Sequence, residues 1–257
     1  MVMLTQNQIR EFAKKLKISD NVVLREYIQL LFLKELYSQK FSEHIFFKGG
    51  TAIRLIFKGE RFSEDLDFSV TETLDAFNQF IEPFFKKISK LYSWNFKKRK
   101  TLAGETYLLS AVKENEGYGL FIKLDFSFRE KVLKPTKSIV DTIYPIIFTT
   151  FINHLSKEEI LAEKIRAIIT RSKGRDIYDL WFLLNQGIDL TDDMVLEKLH
   201  YYDIDTFDRE SLIERIKAFG KDKFVTDLRP FIPINQRTNL SDFYEFVIEF
   251  ISKKVER

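Results

Sequence analysis

Apolar residues recur at helical spacing from the start of the chain. Val23, Leu24, Tyr27, Ile28, Leu31 and Phe32 follow one another by about a turn. This predicts a helix over residues 21–40, with Asp20 as its N-cap, after a first helix over 5–17. The run Ile45-Phe46-Phe47 is closed by Gly49-Gly50 and reads as a short buried strand, and residues 51–57 read as a short helix. Residues 66–70 begin with apolar and polar positions in alternation, the pattern of a strand. Residues 74–91 form an amphipathic helical stretch in which Pro83 marks a kink or break. Two further strands are expected at 107–112 and 119–128, the second from Leu120, Ile122, Leu124, Phe126 and Phe128 at a period of two. Beyond Pro145 the period turns helical, over 157–171, 175–185, 192–200, 208–219 and 241–253. Strands are expected to stop near Phe151. The fold class is therefore α/β (α+β): a mixed sheet flanked by helices over residues 1–150, then a mostly helical domain over 151–257.

Composition narrows the chemistry. The 257 residues allow one large domain or two small ones, each with a sizeable core. There is no cysteine, which excludes a disulfide scaffold, a zinc finger, an iron–sulfur site and a thiol nucleophile. His44, His154 and His200 are not spaced as a pair, which argues against an imidazole-built metal site. The charged share of 31% and apolar share of 45% are those of a folded chain. The N-terminus lacks an apolar signal region, and the apolar stretch around residues 27–33 is far short of the roughly 20 residues a bilayer needs. The expected location is the cytoplasm, with no membrane partner. The 26 phenylalanines fit genomic base bias as well as physics, so no function is drawn from them.

The net charge of +3 hides an uneven distribution. Residues 1–140 hold 24 Lys+Arg against 17 Asp+Glu, or +7, and residues 141–257 hold 17 against 21, or −4. Lys86, Lys87, Lys90, Lys97, Lys98, Arg99 and Lys100 fall within fifteen residues with no acid among them. Such a run attracts polyanions, and Tyr92 and Trp94 interleave with it and could stack on bases. A solvated helix face and its exit would give the same pattern.

The chemistry concentrates in FKGGTAIRLIFKGERFSEDLDFSV, residues 47–70. Gly49-Gly50 follows a strand and opens a helix, where glycine lets the backbone approach a phosphate and the free N–H groups attract anions. Asp65 and Asp67 are one residue apart in a strand pattern, which puts both carboxylates on one face. Adjacent carboxylates repel, and a divalent cation is the natural compensation. Arg61, Ser63 and Glu64 crowd the approach. Each piece alone has a plain structural reading, as a turn or as a solvated sheet face. Together they resemble the nucleotidyltransferase fold of DNA polymerase β. In that fold the glycine turn holds the nucleotide phosphates and the acidic pair holds magnesium. Thr51 stands here where many members have Ser.

The resemblance implies a third carboxylate on a neighbouring strand, and Asp125 in FIKLDFSF is the candidate. A salt bridge to Lys123 or Arg129 is the alternative reading of this acid in an apolar strand. Three carboxylates would suit two Mg2+ ions, with Mn2+ as a substitute, around an NTP substrate. The later stretch EEILAEKIRAIITRSKGRDIYDLWFLL, residues 158–184, reads by periodicity as a charged helical hairpin. Gly174 breaks it, Asp176 could cap its second helix, and Lys164 lies on the same side as apolar residues.

The order KGGTAIRLI, RFSEDLDF, KLDF, LAEKIRAIITRSKGRDIYDL is similar to the AbiEii/AbiGii toxin family of nucleotidyltransferases, over roughly residues 40–190. That resemblance implies catalytic roles for Asp65, Asp67, Asp125, Lys164 and Asp176. It implies nucleotide contacts from Gly49, Gly50, Thr51, Ser63, Lys123, Lys164 and Arg175, with Asp179 as support. It also implies metal binding by Asp65, Asp67 and Asp125, and a helical second domain that completes a nucleotide and acceptor cleft. The expected activity is Mg2+-dependent transfer of NMP from NTP to RNA, above all transfer RNA, by a toxin with a cognate antitoxin. The basic run 86–100 would then bind the RNA. Two other classes stay open: a nucleotidyltransferase acting on a small molecule or protein side chain, and a non-catalytic nucleotide-binding relic.

Overall fold

Thr5 opens helix α1 (Gln6–Leu16) through a capping box: its hydroxyl accepts from the Gln8 N–H, and Gln8 Oε1 accepts from the Thr5 N–H at 2.9 Å. Helix α2 (Asp20–Tyr37) follows. Its N-cap is Ser19 rather than Asp20, which is instead the first helical residue, where its charge suits the helix dipole. Leu30, Leu31, Phe32 and Leu33 are all buried, so this part of α2 is covered on every side and runs through a core.

The computed structural model describes residues 3–101, 104–111, 120–171 and 173–256. They form two units. One comprises Met1–Lys58 and Phe62–Leu155, the other Gly59–Arg61 and Ser156–Arg257.

The first unit is built on a seven-stranded mixed sheet. Its strands are β1 (Ile45–Lys48), β2 (Leu66–Val70), β3 (Trp94–Arg99), β4 (Glu105–Ala111), β5 (Leu120–Ser127), β6 (Pro135–Ser138) and β7 (Ile152–Leu155), in the order β3-β4-β5-β2-β1-β7-β6. Residues 112 and 119, expected at strand ends, lie outside the described residues. Helix α3 (Gly49–Leu55) joins β1 to β2, and α4 (Leu74–Tyr92) joins β2 to β3. Pro83 sits inside α4 without ending it. The sheet continues past Phe151, because Ile152–Leu155 pairs with β6 and, through His154 and Phe47, with β1.

One face of the central strands is aromatic. Phe47, Phe68 and Phe126 run across β1, β2 and β5, with Phe68 and Phe126 stacked at 4.8 Å. Phe32 of α2 and Phe77 of α4 close on them. Alternate residues of the same strands, Asp67 and Asp125 among them, take the other face. Much of the phenylalanine content is therefore packing.

The second unit holds helices α5 (Lys157–Thr170), α6 (Gly174–Asn185), α7 (Asp192–His200), α8 (Arg209–Phe219), α9 (Lys221–Leu228) and α10 (Leu240–Val255). Ser156 caps α5 by accepting from the Glu159 N–H. Lys198 of α7 is fully buried against Glu159 at 2.6 Å.

Candidate active site

Strand register assembles the site. Lys48 of β1 is the Cα partner of Asp67 on β2, Asp67 of Asp125 on β5, and Asp125 of Thr106 on β4. A row Lys48–Asp67–Asp125–Thr106 therefore crosses four strands on the face away from the phenylalanines. Asp65 stands just before β2, two residues from Asp67. Two of the three expected carboxylates are thus direct neighbours.

Gly49 closes the row at its β1 end. Its φ is +76°, and a Cβ there would lie 2.3 Å from Asp67 Oδ2. Both facts demand glycine, the first for the left-handed backbone and the second for the close approach. Gly49→Ala should therefore lower any activity that uses Asp67 by about tenfold or more, because the methyl displaces that carboxylate. Initial-rate kinetics beside a melting curve would check this, and a wild-type rate would refute it.

Thr51 is buried, and its hydroxyl donates to the Asp65 carbonyl, fixing the first turn of α3 to the entry of β2. Ser63 lies in the loop before that strand. The loop is held by Gln29, whose amide donates to the carbonyls of Ser63 at 3.2 Å and Glu64 at 2.9 Å. Gln29 was not among the expected residues; its signal was a polar amide flanked by Ile28 and Leu30 in the buried middle of α2. Arg54 of α3 pairs with buried Glu26 at 2.7 Å and lies over the Phe62 ring.

Asp125 is engaged on both oxygens. Thr106 donates its hydroxyl to Oδ1, and Lys123 Nζ donates to Oδ2 at 2.6 Å. Partial burial pushes the Lys123 ammonium down, but Asp125, Asp67 and Asp65 outweigh it and leave its pKa raised. The salt-bridge reading of Asp125 thus describes its partner here. Among the described residues no group of three or more His, Asp or Glu is already arranged around an ion position. The donor set still fits a hard divalent cation, since Asp65, Asp67 and Asp125 offer oxygen ligands only.

The second unit holds a separate ionic cluster. Lys164 of α5 is buried, with Nζ 2.9 Å from Asp176 Oδ1 and 2.7 Å from Asp179 Oδ2. Asp176 does not cap α6. Its carboxylate takes Lys164 and Arg171, and the N-cap position is Lys173. Burial pushes the Asp176 carboxyl up, yet Lys164 and Arg171 hold it well below the usual carboxylate range. Asp179 also receives both edges of the Arg61 guanidinium, Nε at 2.6 Å and Nη2 at 2.5 Å. Arg61 thus shares Asp179 with Lys164. Arg175 lies over the Phe231 ring at 4.6 Å.

The basic run divides between α4 and β3. Lys86, Lys87 and Lys90 sit on the helix, and Lys97, Lys98 and Arg99 on the strand, with Lys100 just beyond. Lys98 bridges to Glu105 at 2.6 Å. Trp94 is buried and stacked on the half-buried Tyr92, whose hydroxyl donates to Glu35, so Trp94 packs inward. The aromatic surface near the lysines comes from other residues: Phe96 and Tyr107 line a cavity of about 500 Å³ together with Lys86, Lys90 and Lys98.

No helix among the described residues is long and apolar enough to cross a membrane. The family model described as nucleotidyl transferase AbiEii toxin, type IV TA system, matches residues 31–243. An uncharacterized protein of Aquifex aeolicus (strain VF5) is 27% identical over 230 residues, which are 87% of this chain and 92% of that one. Two solved structures share the fold. JHP933 from Helicobacter pylori has a TM-score of 0.52 at 20% identity, covering 93% of this chain and 95% of its own. MenT4, a nucleotidyltransferase toxin from Mycobacterium tuberculosis H37Rv, has a TM-score of 0.57 at 16% identity, covering 97% and 90%.

Proposed function

The chain belongs to the AbiEii family of nucleotidyl transferase toxins of type IV toxin–antitoxin systems, and on that premise we propose that it transfers a nucleotide from a magnesium-bound NTP to an RNA acceptor, most of all transfer RNA. The observation that carries this reading is the register row. Asp67 and Asp125 stand side by side, Asp65 is two residues away, and Gly49 presses against Asp67.

Asp65, Asp67 and Asp125 are the residues that would hold Mg2+. When bound, the ion supplies charge neutralisation for the triphosphate and for the attacking oxygen. Gly49, Gly50 and Thr51 receive the phosphates at the start of α3, with Ser63 and Lys123 beside them. In the second unit, Asp176 and Asp179 hold the Lys164 ammonium in one place. The family resemblance gives that ammonium a role toward nucleotide phosphate, with Asp176 bonded to it and Arg175 preceding Asp176 on α6. A cognate antitoxin protein fits the family. The lysines of α4 and β3 suit a phosphate backbone.

The test is incubation with each α-labelled NTP, Mg2+ and total RNA, followed by separation of RNA, protein and small molecules. Label should enter RNA. Label confined to protein or small molecules would replace the acceptor, and no label with any NTP would favour a nucleotide-binding relic. The RNA-binding part has its own check. Replacing Lys97, Arg99 and Lys100 together by Gln should weaken RNA association at low salt. It should also flatten the plot of log affinity against log salt by roughly 0.7–0.9 for each phosphate that is no longer neutralised. An unchanged slope would remove the basic run from the acceptor site.

A further inference from the structure

The carboxylate row contains a cation of its own. Lys123 precedes Asp125 by two residues on β5, so both side chains leave the same face of the sheet. Its ammonium takes Asp125 Oδ2, while the Thr106 hydroxyl takes Oδ1. Asp125 therefore already carries a protein donor on each oxygen. A divalent ion shared among Asp65, Asp67 and Asp125 takes one of those oxygens, and at Oδ2 it meets the like-charged Lys123 ammonium, which repels it.

We propose that Lys123 is the resident counter-ion of this row: it occupies Asp125 in the nucleotide-free protein and yields that oxygen when a divalent cation arrives with NTP. The inference rests on the reading of Asp65, Asp67 and Asp125 as metal ligands. The exchange is physically easy. The side chains of Lys123 and Asp125 are 44% and 35% exposed, so the ammonium can turn toward water without an uncompensated buried charge. An ammonium binds as a single-charged donor on a flexible stem, whereas a divalent ion accepts several oxygens at once. The displaced ammonium stays on the same face of the sheet, where the triphosphate accompanying the ion supplies a new anionic partner. Metal and nucleotide together give Asp125 and Lys123 each a partner. Metal alone leaves Lys123 without its carboxylate, so the protein favours the pair over the bare ion.

Mn2+ titration calorimetry on nucleotide-free protein tests this. Lys123→Met keeps the length of the side chain and removes the charge. It should bind Mn2+ about tenfold or more tightly than wild type. It should also bind a non-transferable α,β-methylene NTP, at saturating Mn2+, more weakly than wild type. Lys123→Arg retains the ion pair and should keep wild-type Mn2+ affinity. Lys14→Met removes an exposed charge on α1 and should leave it within about twofold. Opposite signs for metal and nucleotide are the signature, since a purely structural lysine would shift both the same way. Mn2+ binding by Lys123→Met that is no tighter than wild type would overturn the proposal. Asp67→Asn separates the two levels. Loss of Mn2+ binding there upholds the metal ligands even if Lys123 fails, whereas wild-type binding by both Asp67→Asn and Asp125→Asn overturns the ligands and the inference with them.

Discussion

Asp67→Asn should lower nucleotidyl transfer by about a thousandfold or more while leaving the protein folded. Asp67 occupies the centre of the register row, between Lys48 and Asp125, with Gly49 held against its Oδ2. Asparagine keeps the shape that Gly49 packs against and removes only the charge and one strong ligand. Asp65 and Asp125 repel that charge while Lys123 attracts it, so in the fold these two effects on it oppose one another. Transfer depends on it, because an oxygen-ligated divalent ion contributes several kcal/mol to stabilising phosphoryl charge in a transition state. Labelled-nucleotide incorporation measures the first effect and thermal unfolding the second. An Asp67→Asn protein with wild-type transfer would remove Asp67 from the chemistry.

The largest loss of stability is expected at Asp179. Its carboxylate is fully buried and accepts from both Arg61 and Lys164, themselves buried. Asp179→Ala deprives Arg61 of this carboxylate and leaves Lys164 to Asp176. Removing one partner of a buried ionic group costs about 3–5 kcal/mol, since the remaining charge stays out of water. Urea unfolding should show this. Exchanging both members, Arg61→Met with Asp179→Leu, should cost less than Asp179→Ala by itself, because no orphaned charge is left. If the double variant is the less stable of the two, the pair contributes in some way other than charge balance.

The same cluster sets a pH dependence. Asp176 has its pKa depressed in the folded state, so its contribution is fully present above the unfolded value of about 3.9 and is lost as pH falls toward the folded one. Asp176→Asn should therefore flatten the fall in stability below about pH 4, although it lowers stability near neutrality. Urea unfolding repeated between neutral and acid pH would check it, and an unchanged acid limb would count against the pairing.

Elements with a clean period were legible in the sequence. Strands β2 and β5 and helix α7 follow their hydrophobic patterns closely, and the Gly-Gly turn, the acidic pair and the later Lys and Asp residues stand out as motifs. Strand β3 was not legible, because WNFKKR carries its charges on consecutive residues. It is an edge strand, where lysine discourages pairing with other chains. Strand β6 is polar and begins with proline, and β7 is only four residues long. Helix α9 was not legible, because its eight residues bury only Phe224 and Leu228, too few to set a period. The row Lys48–Asp67–Asp125–Thr106 depends on strand order and register, which no local pattern encodes. The partner of Arg61 lies 118 residues away in sequence. The burial of Arg61 requires a carboxylate in reach, and no local pattern says which one.

Residues Gly59–Arg61 group with the helical unit although the chain on both sides of them belongs to the sheet unit. Glu60 accepts from Gln236 and Arg61 grips Asp179, so this short visit is anchored at two points. The helical unit is therefore not a cassette that evolution or an engineer can lift out by cutting once before Ser156. A graft of residues 156–257 onto another scaffold would carry Asp179 without its guanidinium. Inheritance of the two units as one gene segment, with the loop between α3 and β2 intact, is the condition under which the buried cluster survives.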